Sequence, residues 1–440
     1  MPVPSDGAGV VYGTKADGTV LVMKNQALVR VFVNTSWKGV GVERVTVSGR
    51  LTRPESSGAV EFNASQDFKD VAAGSACGVT VAPGLYENLT VQVTLTNGGV
   101  HTETASYAYS LDVQTYADLI VGCDDAVCDL AALETANCYL VREPGRYAFP
   151  ASVKGNGVSP DGASATISGI KGFKVICATG GEFMQDCTFS SDSICFSTVN
   201  AADLPAGNAL AGVYSTPDCQ DGTCLWSWHI WCCPDVRETE VGNDVILDMP
   251  VGSLHRTFSL DGENGATYQW GRKDPFIGKI LDVSAVGEKA SMAQAVANPT
   301  KFYVQPDATN WCTSNRCDFW CYGLTTNGNR NVAISKTMYD PCPPGFHVAS
   351  STCLASLISD YGEFSYETCG RTLSGIFFPY QGYLRYTDAL LWQNGLMLNV
   401  WGATPYTADS GYGIQCNYAS TVHQFTAAKS FGNIVIAQKQ

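Results

Sequence analysis

Residues 222–235 read GTCLWSWHIWCCPD, and this stretch decides the fold class of the chain around it. Trp226, Trp228 and Ile230 form one alternating set of large apolar residues. The other set begins with Leu225 and ends with a further tryptophan, Trp231. Apolar side chains in both alternating sets are typical of a strand that is covered on both faces. The sequence therefore predicts a buried strand within a covered sheet.

His229 lies in the middle of this strand, close to several cysteines. A structural zinc site needs four ligands at recognisable spacings, such as paired CxxC elements. The cysteine spacings here are C-x4-C at 219–224, an adjacent pair at 232–233 and C-x4-C-x3-C at 312–321. None of these is a standard zinc knuckle. We therefore expect His229 to be a core residue hydrogen-bonded to a neighbour, and we predict no metal site.

The composition indicates a folded protein of several domains. The chain has 440 residues, of which 45% are hydrophobic and 15% are charged. Its formal net charge of −14 disfavours nucleic acid as a partner, because phosphate binding needs a concentrated positive surface. No window approaches the roughly 18 apolar residues of a membrane span. We expect neither nucleic-acid binding nor a membrane-spanning segment.

The chain contains 18 cysteines, an even number that indicates an oxidising compartment. The opening MPVPSDGAGV lacks the charged and apolar regions of a signal peptide, so we expect an upstream leader to have been removed. Connectivity cannot be deduced from sequence, but short spacings allow several disulfides. The candidate pairs are Cys123/Cys128, Cys219/Cys224, Cys312 with Cys317 or Cys321, and Cys342/Cys353.

Residues 1–117 show the pattern of an all-β domain. Period-two alternation occurs in LVRVFV (28–33), VERVTVSG (42–49) and LTVQVTLTNGG (89–99). Residues 97–99, Asn-Gly-Gly, supply the positive φ angles that a tight hairpin requires. Several short strands separated by turns indicate a β-sandwich.

The alternation of apolar and polar residues is lost in DLIVGCDDAVCDLAALETANC (118–138), which suggests a linker at 118–136. Residues 137–440 combine strands, loops and a few helices, which indicates an α+β region. The helix candidates are 288–302, stopped by an Asn-Pro pair, and 351–364, opened by a serine or threonine cap.

No catalytic motif is present. The chain lacks a GxSxG elbow, HExxH, a P-loop and a glycine-rich dinucleotide turn, so we predict no catalytic residue and no cofactor. A hydrolase with an unrecognised site is our weakest hypothesis. The Gln-Pro-Asp triplet at 305–307 resembles a calcium-lectin element, but a turn explains the same residues.

The segment FFPYQGYLRYTDALLWQNG (377–395) is the best candidate for a binding face. Aromatic rings beside amides and charges are how proteins hold sugars or partner loops. The alternative is that these rings fill a core. The candidate ligand-binding residues are Tyr380, Tyr383, Arg385, Tyr386 and Trp392.

Several blocks in one order resemble surface proteins of Bacteroidetes with fimbrillin-type and major paralogous (FISUMP-like) domains. The blocks are ANCYLVREPGRYAFPASVKGNG (136–157), GNALAGVYSTPDCQDGTCLWSWHIW (207–231), YQWGRKDPF (268–276), ANPTKFYV (297–304), KTMYDPCPPGFHVAS (336–350), FPYQGYLRY (378–386) and VWGATP (400–405). The segment ALVRVFVNTSWKGVGVERVTVSG (27–49) resembles the early strands of a fimbrillin domain.

This resemblance implies a mainly β protein with an α+β C-terminal part. A fimbrillin-like sandwich at 1–117 would precede a β-rich middle region at 137–319 and a C-type-lectin-like domain at 320–440. There are departures: NIVIAQK (433–439) lacks the usual closing cysteine, which leaves Cys342 with Cys353 as its nearest candidate partner. Calcium ligands are not recognisable, so a lectin-like fold does not by itself imply sugar binding.

The resemblance implies a non-enzymatic, exported protein of the outer cell surface. Our first hypothesis is a fimbrial tip or accessory subunit, or an adhesin, joined to other pilus subunits through an edge strand of its N-terminal sandwich. Its partners would be pilus subunits or a surface protein or glycan, with a lipid anchor upstream. The alternative is a glycan-binding surface lipoprotein for nutrient capture. Maturation after Arg30 is disfavoured, because Arg30 lies inside a good strand pattern.

Overall fold

A computed structural model describes residues 26–55, 58–105, 108–113, 115–260, 264–278, 282–323, 333–419 and 422–440. The opening segment inspected for a leader lies outside these residues. The chain divides into two compact units, each described separately. The first comprises Met1–Asp129, Glu143–Ala148 and Phe196–Leu204; the second comprises Leu130–Arg142, Phe149–Cys195 and Pro205–Gln440.

The first unit is built from strands. They are β1 (Ala27–Asn34), β2 (Gly41–Thr52), β3 (Ala59–Ala72), β4 (Ala76–Val81), β5 (Gly84–Leu95), β6 (Val100–Thr104), β7 (Tyr109–Leu111), β8 (Tyr116–Gly122) and β9 (Val127–Asp129). One sheet has the order β4-β1-β8, and another contains the run β3-β2-β5-β6-β9, with β7 also paired to β5. Their apolar faces form one core.

The predicted alternation is clearest in β5. Leu89, Val91, Val93 and Leu95 are all buried, while the threonines and glutamine between them are not. The following turn contains Gly98 at φ +81°, which donates its N–H to the Leu95 carbonyl at 2.9 Å. The predicted hairpin is therefore confirmed, and glycine is needed there because a Cβ disfavours that φ.

The strand β8 lies where the sequence suggested the start of a linker. It runs parallel to β1, in a register from Leu28 opposite Tyr116 to Asn34 opposite Gly122. Its residues alternate between exposed and buried, but the outward set includes the apolar Ile120, which hides the alternation in the sequence. The first unit consequently extends beyond residue 117, through Asp129.

From residue 138 onward the chain adds many more strands. They are β10 (Cys138–Val141), β11 (Arg146–Pro150), β12 (Gly172–Gly180), β13 (Met184–Phe189), β14 (Ser193–Thr198), β15 (Gly207–Tyr214), β16 (Cys224–Cys232), β17 (Glu238–Val241), β18 (Asp244–Leu247), β19 (Thr267–Gln269), β20 (Asp282–Val283), β21 (Lys301–Phe302), β22 (Phe346–Val348), β23 (Gly370–Leu373), β24 (Ile376–Pro379), β25 (Tyr383–Leu384), β26 (Leu391–Trp392), β27 (Met397–Pro405), β28 (Ser410–Asn417), β29 (Val422–Ala428), β30 (Gly432–Val435) and β31 (Ala437–Lys439).

Three sheets organise the second unit. Their orders are β10-β16-β15-β12, β17-β18-β31-β22, and β26-β25-β30-β27-β28-β29 with β19 paired to β30. The strand predicted from Trp226–Trp231 is β16; it lies between β10 and β15, and of its residues only Leu225 is not fully buried. Because β18 and β19 pair with the last two strands, the chain before and after residue 320 shares sheets. The predicted division at 319/320 is not a boundary between units.

The described residues contain two helices, both shorter than the sequence suggested. They are α1 (Met292–Ala297) and α2 (Ser351–Leu357). Ser291 caps α1 in a capping box with Gln294, and Ser350 caps α2. Beyond α2 the chain turns extended, since Gly362 donates its N–H to the Thr372 carbonyl. The protein is therefore mainly β. Neither described helix is long and apolar enough to cross a membrane.

Tryptophans dominate the largest core of the second unit. Trp231, Trp270, Trp320 and Trp401 are fully buried within one apolar cluster. Each indole N–H donates to a backbone carbonyl at 2.9–3.0 Å. These bonds satisfy the polar edge of each ring, so the aromatic surface is buried without an unpaired donor.

Candidate functional site

The hairpin of β25 and β26 carries most of the predicted binding residues. Tyr383 lies opposite Trp392, and Leu384 lies opposite Leu391. Side chains of directly opposed residues point to the same face of a sheet. The strand β26 lies at the end of its sheet, so this pair stands at an edge of the second unit.

An ion pair orients the cationic group of this hairpin. Arg385 forms a two-point contact with Asp388, and its guanidinium carbon lies 4.5 Å from the ring centroid of Trp392. The bonds from Arg385 lower the pKa of the Asp388 carboxyl. Asp388 is thus ionised at neutral pH and holds the guanidinium against the indole.

Two tyrosines share a support beside this pair. The rings of Tyr383 and Tyr386 lie 5.5 Å and 4.8 Å from the ring of Phe431, both edge-on. Burial raises the pKa of the Tyr383 hydroxyl, so it remains a neutral donor and acceptor. We call Tyr383, Arg385, Tyr386 and Trp392 the hairpin site. The structure brings these four predicted residues together.

Tyr380, the fifth predicted residue, requires a correction. Its side chain is fully buried in an apolar cluster, with its ring 5.1 Å from that of Phe364. It lies in the loop after β24, where it fills the core and does not reach the surface. Tyr380 therefore cannot contact an external ligand.

Further apolar side chains are exposed on and beside the hairpin. Leu390, Leu391 and Leu396 all leave substantial surface open, and Trp392 is 44% exposed. Apolar surface beside one oriented ion pair suits a ligand with an apolar face and hydroxyl or carbonyl groups at its rim. A sugar ring or an extended protein segment has this character.

A second feature, in the first unit, was missed by sequence reasoning. A groove of about 480 Å³ lies between β8 and the facing strands β5 and β6. The described residues show β8 paired on one side only, with β1. The lining residues are Leu89, Val91, Glu103, Thr104, Ala105, Tyr109, Asp118, Leu119, Ile120 and Val121.

The hydrogen bonds show which backbone groups of β8 are free to pair. Leu28 donates its N–H to the Thr115 carbonyl, and Cys123 donates to the Asn34 carbonyl. In a strand, alternate residues direct their N–H and C=O groups to opposite sides. The odd-numbered residues of β8 therefore direct their N–H and C=O groups toward β1. Asp118 and Ile120 direct theirs toward the open edge.

His229 belongs to a buried polar chain. Its Nδ1 lies 3.5 Å from the sulfur of Cys138, and its Nε2 lies 2.8 Å from the Asn208 side-chain oxygen. A cysteine, a histidine and an asparagine in this order resemble a nucleophile, a base and its orienting group. However, all three are at most 2% exposed, burial lowers the pKa of His229 to about 3, and burial raises the pKa of the Cys138 thiol. The predicted core histidine with a hydrogen-bonded neighbour is confirmed.

All 18 cysteines are free thiols in the structure. The predicted pairs Cys123/Cys128, Cys219/Cys224, Cys312 with Cys317 or Cys321, and Cys342/Cys353 are not bonded. The sulfurs of Cys219 and Cys224 each contact a carbonyl near them in the chain, those of Thr216 and Trp226 respectively. Burial raises the pKa of several thiols, to about 12 for Cys353.

The Gln-Pro-Asp triplet is structural. Gln305 is buried and donates its side-chain amide to the Glu288 carbonyl, while its N–H donates to the Tyr386 carbonyl. The next residues form a turn in which Thr309 donates to the Asp307 carbonyl. Among the residues that the structure describes, no group of three or more histidine, cysteine or acidic side chains could hold a metal ion.

Comparisons with known proteins give no relative from which function can be transferred. No protein-family model matches the chain, and no curated protein sequence matches it. A solved structure that it matches is a leucine-rich repeat protein from Bacteroides thetaiotaomicron, with 12% identity and a TM-score of 0.15. The match covers 47% of this chain and 24% of that one.

Proposed function

We propose that this protein is a non-enzymatic cell-surface protein that acts as a fimbrial tip or accessory subunit, or as an adhesin. The observation that carries this proposal is the edge of β8 that no described strand pairs with, beside a groove of mixed polar and apolar lining. An extended segment of another subunit adds to such an edge by main-chain hydrogen bonds, and its alternate side chains fill the groove.

The character of the groove supports a strand as its occupant. Leu119 and Val121 point inward from β8, and Leu89 and Val91 face them from β5. These side chains are already buried, so an added strand would gain mainly main-chain hydrogen bonds with Asp118 and Ile120, and its inward side chains would lie in the groove beside them. Exposed strand edges are otherwise sites of uncontrolled association, so a long edge left open suggests a defined partner.

The assembly does not require cleavage after Arg30. β1 is the central strand of its sheet, and Arg30 within it forms an ion pair with Asp118 of β8. Cleavage after Arg30 would divide β1, the strand with which both β4 and β8 pair. The sequence blocks support a fimbrillin-like identity for the first unit and a C-type-lectin-like one for 320–440, and these identities are part of the proposal. The protein would be exported to the outer surface.

Co-purification with fimbriae tests the proposal. Cells would produce wild-type protein, Ile120→Pro, which removes the outward N–H of β8, or Ile120→Thr, which keeps it. We expect wild type and Ile120→Thr in sheared, purified fimbriae, and we expect Ile120→Pro to be released, since main-chain pairing is lost. Equal incorporation of all three would contradict assembly through β8.

The alternative function is glycan capture by a surface lipoprotein, and the hairpin site favours it. Trp392 offers a partly exposed ring, and the ion pair of Arg385 and Asp388 offers oriented polar groups beside it. This alternative predicts saturable sugar binding without incorporation into fimbriae. Incorporation into purified fimbriae distinguishes the two functions, and binding to a glycan array, with and without calcium, tests the hairpin site under either one.

A further inference from the structure

An amine and a thiol lie side by side in the second unit. The Nζ of Lys429 is 3.4 Å from the sulfur of Cys317, more than a hundred residues away in the chain. Both side chains are nearly inaccessible, with 1% and 4% of their surfaces exposed. Lys429 follows the end of β29, and Cys317 lies in the loop that precedes Trp320.

The charged group that acts on the amine from nearby is Asp409, but no ion pair joins Asp409 to Lys429. The other hydrogen-bond acceptor of the amine is the Arg316 carbonyl at 3.2 Å, and the amine lies 4.5 Å from the ring centroid of Trp270. Burial lowers the pKa of Lys429, which favours the neutral, nucleophilic amine. The sulfur in turn contacts the carbonyls of Asn315 and Thr407.

We propose that Lys429 and Cys317 are a redox-sensitive pair that dioxygen joins covalently through an S–O–N bridge. The net reaction consumes one thiol, one neutral amine and one dioxygen, and it yields the bridge and one water. Sulfur and nitrogen each lose two electrons, and dioxygen accepts all four. One oxygen atom becomes the bridge, and the other leaves with the thiol proton and one amine proton.

The geometry places the amine beside the sulfur at which oxidation begins. Addition of dioxygen to the thiol gives an S–O–O–H group. The Lys429 nitrogen then attacks the sulfur-bound oxygen, so that the O–N bond forms as the O–O bond breaks and hydroxide leaves as water with one amine proton. At 3.4 Å the nitrogen is the positioned neighbour, and the gap leaves room for one oxygen atom after a small approach. Because Cys317 is only 4% exposed, a small oxidant can reach its sulfur but a thiol of another protein cannot.

The bridge would tie two distant segments of the second unit. Phe431 lies two residues after Lys429 and supports the rings of Tyr383 and Tyr386. A covalent link at Lys429 would therefore restrict the movement of Phe431, against which the two tyrosine rings pack. Oxidation would stiffen the hairpin site, whichever ligand that site binds.

Peptide mass spectrometry of the full chain tests the pair. The reduced protein would be held in air-saturated buffer, digested with trypsin under acidic quenching, and compared with a sample kept under reductant. We expect a cross-linked peptide that joins Cys317 to Lys429, with one oxygen gained and two hydrogens lost. The free peptides should disappear in equal amounts, and dithiothreitol should restore both.

Cys321→Ser is the matched control, because it removes the other thiol of the Cys317 peptide and should leave the bridge intact. Cys317→Ser and Lys429→Arg should abolish the cross-link. A link between the two residues without the added oxygen would contradict the bridge. So would a disulfide from Cys317 to Cys312 or Cys321, or a Cys317 that stays a thiol in air.

Discussion

The guanidinium of Arg385 lies over the indole of Trp392, with 4.5 Å between the guanidinium carbon and the ring centroid. Arg385 directly follows β25, and Trp392 is the last residue of β26. The stacking covers one part of a partly exposed ring and fixes the direction of the cation. Its main consequence is a preorganised surface for a ligand.

Replacing Trp392 by alanine should remove ligand binding without unfolding the protein. The ring is 44% exposed, so the free energy of unfolding should change by less than about 1 kcal/mol. Affinity for any glycan detected on an array should fall by roughly tenfold or more, about 1.4 kcal/mol. Tyr418→Ala, at another exposed aromatic residue of the same unit, is the control and should bind normally. Normal binding by Trp392→Ala would remove the hairpin site as the binding face.

Replacing Arg272 by methionine should destabilise the second unit strongly. Arg272 is fully buried and donates to the carbonyls of Asn298, Pro299 and Lys301, just beyond α1. Methionine leaves these acceptors unpaired, and we expect a loss of about 2–4 kcal/mol in the free energy of unfolding. Urea titration followed by tryptophan fluorescence measures it, because eight of the nine tryptophans lie beyond residue 200.

The control for this change is Lys439→Met, which breaks an exposed ion pair with Glu238 in the same unit. It should change the free energy of unfolding little, because exposed ion pairs contribute little to stability. An Arg272→Met protein as stable as the control would show that the buried guanidinium does not hold the end of α1.

Acid should destabilise the protein partly through His229. Burial lowers its pKa from 6.5 to about 3, so between these values the unfolded chain binds a proton that the folded protein does not. Stability contributed by neutral His229 is therefore present above pH 6.5 and is lost as the pH falls toward 3. His229→Gln should flatten the decline of unfolding free energy between neutral and acidic pH. The exposed His423→Gln should keep the wild-type slope, and an unchanged slope in His229→Gln would contradict this assignment.

Much of the local structure followed from residue patterns. The alternation in β5, the positive φ at Gly98 and the doubly covered strand around Trp228 are set by side-chain period and turn chemistry, which are local properties. The sequence pattern predicts a hydroxyl cap only for the second helix, where Ser350 provides it. α1 begins later than predicted, at Met292, and ends at the predicted Asn-Pro stop. α2 ends early because the chain beyond it pairs with residues 370–374, as at Gly362.

Features set by tertiary pairing could not be predicted in the same way. The sequence pattern places most of β8 in a linker, because Ile120 is apolar and yet faces outward. It also groups Tyr380 with its neighbours, because sequence proximity does not tell which ring of a loop turns into a core. The contact of Lys429 with Cys317 joins residues too distant for any spacing rule.

The most direct test of assembly through β8 is amide hydrogen exchange in Tyr116–Gly122, measured on isolated protein and on protein incorporated into fimbriae. In the isolated protein the N–H groups of Asp118 and Ile120 face an open edge and should exchange quickly, while those of Leu119 and Val121 are paired with β1. Assembly by strand addition predicts that exchange at Asp118 and Ile120 slows by roughly tenfold or more in the fimbriae. Incorporated protein in which both amides still exchange at the isolated rate would contradict the account.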